Sequence, residues 1–210
     1  MHSSWTGRNV SVAVIDTHVD AGHPDLKGRI KVARNFTPQA QIMALRACWQ
    51  RGSNRASACT SLNLARAMNY AIERGAKIIN LSLGGPPNRL LTRLIDTAGE
   101  RGIAVVAAHD PALPKGGFPA SHRGVIAVSQ EGVAGARGYA APGRDIPTTQ
   151  PDGGFHFVTG SSYSAAHVSG LLALSYERNR ASQGRENGEW HTLEHTDTKS
   201  RKIDIAKTFD

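Results

Sequence analysis

Gly160-Ser161-Ser162-Tyr163-Ser164-Ala165-Ala166-His167-Val168-Ser169-Gly170 sets serines after a glycine and then opens a run of small and apolar residues. Such a run reads as a closely packed helix, with Gly160 permitting a sharp entry and Ser161 or Ser162 available to cap its start. The first N–H groups of a helix have no partner inside it, and the helix dipole is positive at that end. Ser162 is therefore a candidate nucleophile whose own N–H can stabilise the negative charge that develops in acyl transfer. His167, five residues on, falls about 140° round the helix from Ser162 by the 3.6-residue period, so it reads as a structural histidine and not as a base.

Working outward, residues 9–15 (Asn-Val-Ser-Val-Ala-Val-Ile) are a β-branched run ending at Asp16. This predicts a buried parallel strand with a carboxylate at its C-terminal edge, where open α/β sheets place their chemistry. Residues 61–74 carry Leu64, Ala67, Met68, Ala71 and Ile72 at helical spacing and stop at Gly75. Residues 76–86 read as a strand breaking into a glycine turn, residues 90–101 as a helix, and residues 102–108 as a buried strand ending at His109-Asp110-Pro111. Residues 28–36 are a further strand candidate and run almost directly into 37–47. Strands alternating with helices predict an α/β fold of three layers, a mostly parallel sheet with helices on both faces.

Several of these stretches, with their neighbours, resemble motifs of the subtilisin-like serine proteases. The run at 160–170 matches G-T-S-x-A-x-P-H-V-(A/S)-G, with Ser161 in the Thr position and Ala166 in the Pro position. Val12-Ala13-Val14-Ile15-Asp16-Thr17-His18, continuing to His23-Pro24-Asp25-Leu26, matches the family's aspartate motif except that His18 stands where glycine is usual. Ile79-Asn80-Leu81-Ser82-Leu83-Gly84-Gly85-Pro86 matches I-N-(M/L)-S-L-G-G-P, and Phe118-Pro119-Ala120 and Ala141-Pro142-Gly143 supply two structural landmarks. The resemblance runs in the family's order over about residues 10–174. It implies a serine endopeptidase acting on polypeptides, with Ser162 as nucleophile and Asp16 as the carboxylate that orients a base. It further implies Ser82, Leu83 and Gly84 as the edge that pairs with substrate backbone, no cofactor, and a secreted or periplasmic location.

Two departures bear on activity. Between the strands at 28–36 and 37–47 the family carries H-G-T-x-V-A-G on a helix, which supplies the catalytic histidine; no His-Gly pair occurs anywhere in this chain. A base must reach within about 2.6–3.2 Å of the serine while the aspartate holds its other nitrogen. His18 is too near Asp16 in sequence, His23 belongs to the loop motif and His109 lies elsewhere on the sheet edge. The family's oxyanion asparagine is replaced by Asp110 or Pro111; proline has no donor, and aspartate donates only when protonated. The expectation is a peptidase impaired by loss of the histidine segment, the alternative an inactive relative that at most binds peptides. Loss of a helix also predicts an incomplete fold with an exposed apolar patch beside Asp16 and Ser162.

Composition sets the remaining bounds. The 210 residues, 40% hydrophobic, suit one peptidase domain at 1–175, followed by a polar stretch at 176–210 that reads as a mobile tail. No run approaches the roughly 20 apolar residues of a membrane span, and residues 1–7 do not read as a secretory signal. The formal charge of +8 comes from scattered Lys and Arg with no aromatic-basic module, so neither nucleic acid nor membrane is expected as a partner; oligomeric state leaves no mark in the sequence. Asp16, His18, Asp20, His23 and Asp25 raise a metal site as a rival, but the chain is shorter than the about 250 residues of a (β/α)₈ barrel, and no metal or calcium is expected. Cys48 and Cys59 flank a polar loop at 50–58, and their spacing allows either a bridge or two buried thiols.

Overall fold

The computed structural model describes residues 5–17, 19–27, 29–30, 40–51, 56–132, 138–150, 153–183 and 201–202. In chain order the strands are β1 (Ser11–Asp16), β2 (Gln41–Arg46), β3 (Cys48–Arg51), β4 (Ala56–Cys59), β5 (Ile78–Leu81), β6 (Ala104–Ala108), β7 (Val125–Gln130), β8 (Tyr139–Ala141), β9 (Ile146–Thr149), β10 (Phe155–Val158) and β11 (Arg201–Lys202). The helices are α1 (Ser61–Glu73), α2 (Arg89–Glu100) and α3 (Ser161–Gln183). Seven strands form one sheet in the order β11-β8-β7-β6-β5-β1-β2, and every neighbouring pair is parallel.

Local chemistry sets the helix ends. The Thr60 side chain accepts the Asn63 N–H at the start of α1, and the Asn88 side chain accepts the Leu90 and Leu91 N–H groups at the start of α2. Just past their C-terminal ends stand Gly75 and Gly102 with φ of +69° and +67°, a conformation only glycine takes without steric cost.

Period-two alternation along the strands then divides the core between two faces. Ala13, Ile15, Ile79, Leu81, Val105 and Ala107 pack with Met68 and Ile72 of α1 and Leu91 and Ile95 of α2. On the opposite face Val10, Val12, Ile78, Val106 and Val128 pack with Ala165, Val168 and Ala173 of α3. This is the expected three-layer α/β arrangement. The α3 face is less well covered at its β1–β2 end. There Val14, Ile42 and Ala44 are half-buried, whereas Ala13, Ile15 and Met43 on the α1–α2 face are buried.

Three local expectations need correction or qualification. The loop expected at 50–58 is instead part of an antiparallel hairpin in which β3 pairs with β4, and Cys48 lies directly opposite Cys59. The two are joined by a disulfide with a Cα–Cα distance of 4.3 Å, and Cys48 is buried. The boundary expected after residue 175 falls inside α3, which continues to Gln183. Its final turns hold the start of the chain: Glu177 Oε2 accepts the Thr6 and Gly7 N–H groups, each at 2.6 Å, and Arg180 Nη2 donates to the Arg8 carbonyl at 2.7 Å. Finally, the strand expected at 28–36 lies mostly outside the described residues; Ile30 makes a parallel bridge to Ile42.

Candidate active site

The chain passes from β1 outward to β2, then returns through α1 to β5 on the other side of β1. Connections therefore leave β1 and β5 in opposite directions, the arrangement that in open α/β sheets leaves a ligand-binding crevice at the carboxyl ends of the strands. In register Ile15 lies opposite Leu81, so Asp16 and Ser82 flank the mouth of this crevice. Leu81 lies opposite Ala107, which brings the segment after β6, His109 and Asp110, to the same edge.

A hydrogen-bond relay seats the N-terminus of α3 here. Ser82 Oγ donates to the Ser162 carbonyl at 3.2 Å and accepts from Asn80 Nδ2 at 3.0 Å, while Ser169 Oγ lies 3.0 Å from Asn80 Oδ1. Asn80 and Ser169 are buried, so the relay satisfies polar groups that would be costly unpaired. Ser161 does not cap the helix; its hydroxyl accepts the Gln130 N–H at 3.2 Å and ties α3 to β7. Ser164, fully buried, lies 3.0 and 3.1 Å from the Ala141 and Pro142 carbonyl oxygens. The close approach leaves no room at Gly143, where a Cβ would fall 2.9 Å from the Gly160 carbonyl oxygen and closer still to Ser164 Oγ. The sequence predicts a strand and glycine turn over 76–86 with a binding edge at Ser82, Leu83 and Gly84, and this relay is not among its expectations. Its one legible signal was a polar Asn80 within a buried apolar run.

Ser162 is thus the second residue of a 23-residue helix whose first turn points at the crevice. Neither its hydroxyl nor its N–H has a partner among the described residues. Asp16 Oδ1 accepts the Thr17 N–H at 2.6 Å and the Thr17 hydroxyl at 3.2 Å. Among the described residues no histidine bonds either group. His23 is buried with both nitrogens engaged: Nδ1 accepts the Asp25 N–H at 3.2 Å, so Nε2–H donates to the Gly154 carbonyl at 3.2 Å. His167 Nδ1 lies 3.0 Å from the Pro142 carbonyl oxygen. His109 is 7% exposed, its ring pressed against Gly116 and its Nδ1 without a partner among the described residues. His18 lies outside the described residues.

Beyond β5, Gly85 exchanges two backbone hydrogen bonds with Phe118, at 2.8 and 2.9 Å. Leu83 and Gly84, between β5 and that bridge, have no backbone partner among the described residues. They form a short free edge able to pair with an extended chain. Asp110 stands across from it, and its Oδ1 accepts the Ala112 N–H at 2.9 Å. Among the described residues, no three His, Cys, Asp or Glu side chains gather where a metal could be held.

A family model described as the subtilase family matches residues 32–206. The major intracellular serine protease of Bacillus subtilis (strain 168) is 28% identical over 257 aligned residues, covering 97% of this chain and 79% of the relative. That aligned length exceeds the 210 residues of the chain, so the relative carries segments the chain lacks. The thermophilic serine proteinase of Bacillus sp. (strain AK1) is 32% identical, covering 85% of this chain and 53% of the relative. The chain thus spans about half the length of some relatives it matches. Among solved structures, a mutant of the protease domain of PatA superposes with a TM-score of 0.70 at 23% identity, over 86% of this chain and 84% of that one. The prenylagaramide maturation protease PagA follows at 0.68 and 24%, over 84% and 79%. With the family matched over most of its length and the fold shared with these structures, the chain belongs to the subtilase family of serine proteases.

Proposed function

We propose that the crevice between β1 and β5 is a peptide-hydrolysing site, impaired in this chain, with Ser162 as nucleophile and Asp16 as the carboxylate made to orient a base. One observation carries the reading: Ser162 opens a long helix at the carboxyl edge of the sheet, held by Ser82 beside a free backbone edge at Leu83 and Gly84. A polypeptide laid along that edge brings a carbonyl to the helix N-terminus. Attack by Ser162 Oγ would put negative charge on the carbonyl oxygen, where the Ser162 N–H can donate to it. The impairment rests on the missing base. Positioned acid–base catalysis is worth about 10²–10⁴-fold, and without it a serine hydroxyl is a poor nucleophile at neutral pH.

The test is labelling by a fluorophosphonate probe. Ser162 should react at least about 100-fold more slowly than the nucleophile of an intact relative, and Ser162→Ala should abolish the reaction. Labelling at the relative's rate would remove the impairment. No labelling, with peptides still bound, would favour the alternative of an inactive peptide-binding relative. We further propose a secreted or periplasmic location, on the strength of the Cys48–Cys59 disulfide, since such bonds persist in oxidising compartments. Alkylation of the denatured native protein should then find neither thiol free. Two free thiols in protein taken directly from cells would place it with the relative named as intracellular.

A further inference from the structure

The free edge faces a wall built by the loop after β6. A Cβ on Gly84 would lie 3.5 Å from Asp110 Cβ and 3.5 Å from Leu113 Cδ1. The same leucine fills the far side of the gap, where a Cβ on Gly117 would meet Leu113 Cδ1 at 2.6 Å and its Cβ at 3.2 Å. Leu113 therefore stands between two glycines, one on the peptide-pairing edge and one on the turn opposite. Its neighbours Pro111, Ala112, Pro114 and Lys115 are exposed, and Leu113 alone of the five is half-buried. Behind the turn the space is also taken, because a Cβ on Gly116 would fall 2.8 Å from Nε2 of the buried His109.

The loop is held in this position. Leu113 N–H donates to the Asp110 carbonyl at 3.1 Å, Gly116 N–H to the Leu113 carbonyl at 3.0 Å, and Asp110 N–H to the Gly116 carbonyl at 3.0 Å. The Asp110 carboxylate adds the Ala112 N–H, and the Gly85–Phe118 bridge fastens the turn to the edge it faces. An extended peptide on Leu83 and Gly84 sends alternate side chains to opposite sides. The side chain that enters between Gly84 and the turn meets Leu113.

We propose that Leu113 occupies the side-chain pocket beside the peptide edge and restricts the substrate to a small residue, glycine, alanine or serine, at the position whose carbonyl faces Ser162. This rests on the peptide-edge reading above. Hydrolysis would leave the acyl half of the substrate on the edge with that residue at its C-terminus, so product-like peptides report on the pocket without any turnover.

The experiment uses the full chain carrying Ser162→Ala and fluorescein-labelled tetrapeptides that differ only in a C-terminal alanine or phenylalanine, with affinity read by anisotropy. The alanine peptide should bind at least about tenfold tighter, the scale on which pockets discriminate by a few methylenes. Leu113→Ala should raise affinity for the phenylalanine peptide by about tenfold or more. Leu113→Met, which keeps an apolar anchor of similar volume on the loop, should retain the original preference and guards against a loop that has simply unfolded. Equal affinities in the parent, or an unchanged preference in a cooperatively folded Leu113→Ala, would overturn the proposal while leaving the peptide edge in place. Failure of every peptide to bind every variant would overturn both.

Discussion

Glu177 shows how one carboxylate joins the last helix to residues 6–8. Burial pushes its carboxyl up, but hydrogen bonds from the Arg8, Thr6 and Gly7 backbone N–H groups and the Arg8 charge together hold it below its ordinary 4.5. A carboxyl depressed in the folded state contributes stability above its unfolded pKa, and that contribution fades as pH falls through the folded value. Urea unfolding of Glu177→Gln should therefore differ most from the parent near neutral pH and converge with it in acid. A gap that persists undiminished well below the pKa would assign the effect to packing. At the serine helix, Gly143→Ala would press a Cβ onto the Gly160 carbonyl and the Ser164 hydroxyl. Overpacking of that kind costs about 1–3 kcal/mol, so the urea midpoint should fall and fluorophosphonate labelling of Ser162 should drop with it.

Among the elements, the β3–β4 hairpin is where a covalent bond compensates for shortness. Each strand has four residues, and the disulfide joins positions 11 apart in sequence. Closing a loop of that length in the unfolded chain is worth about 3 kcal/mol on the entropy estimate. Reduction, or Cys48→Ser with Cys59→Ser, should lower unfolding stability by roughly that amount. A change below about 0.5 kcal/mol would mean that the hairpin is held by Cys48 packing in the core and not by the bond. Helix α3 depends on different forces. Small residues, Ala165, Val168 and Ala173, let it lie close to the sheet, while the Ser82–Asn80–Ser169 relay and the Ser164 bonds fix its position.

On the scale of the whole molecule, one face of the sheet carries two helices and the other carries α3. Val14, Ile42 and Ala44 lie half-buried where the α3 face meets the edge, Val14 on the strand that ends in Asp16 and the other two on its neighbour β2. Loss of the histidine helix predicts an exposed apolar patch beside Asp16 and Ser162, whereas these three residues are half-buried. The native protein should bind a hydrophobic dye more strongly than an intact relative does. Inserting an H-G-T-x-V-A-G helix between Phe36 and Thr37 should reduce dye binding and raise fluorophosphonate labelling of Ser162 together. Labelling that rises with dye binding unchanged would separate the catalytic group from the uncovered surface.

Sequence alone determined the α/β class, because short apolar, β-branched runs such as 11–16 and 104–108 alternate with helical spacing such as 61–73, and each pattern is a local property of the chain. It also raised Ser162 and Asp16 as candidates, through the order and spacing of the motifs around them that resemble those of the subtilisin-like proteases. What only the tertiary structure decided were relations between distant residues. Spacing left Cys48 and Cys59 open; the antiparallel register of β3 and β4 set them opposite one another. Polarity made 176–183 look like a tail, but burial against the chain's own N-terminus is invisible to composition, and there Glu177 finds the backbone donors that hold it. Leu113, in a loop of proline, alanine and glycine, carries no signal at all. Its meaning depends on two glycines, 29 residues before it and four after it, that the fold brings to either side of its side chain.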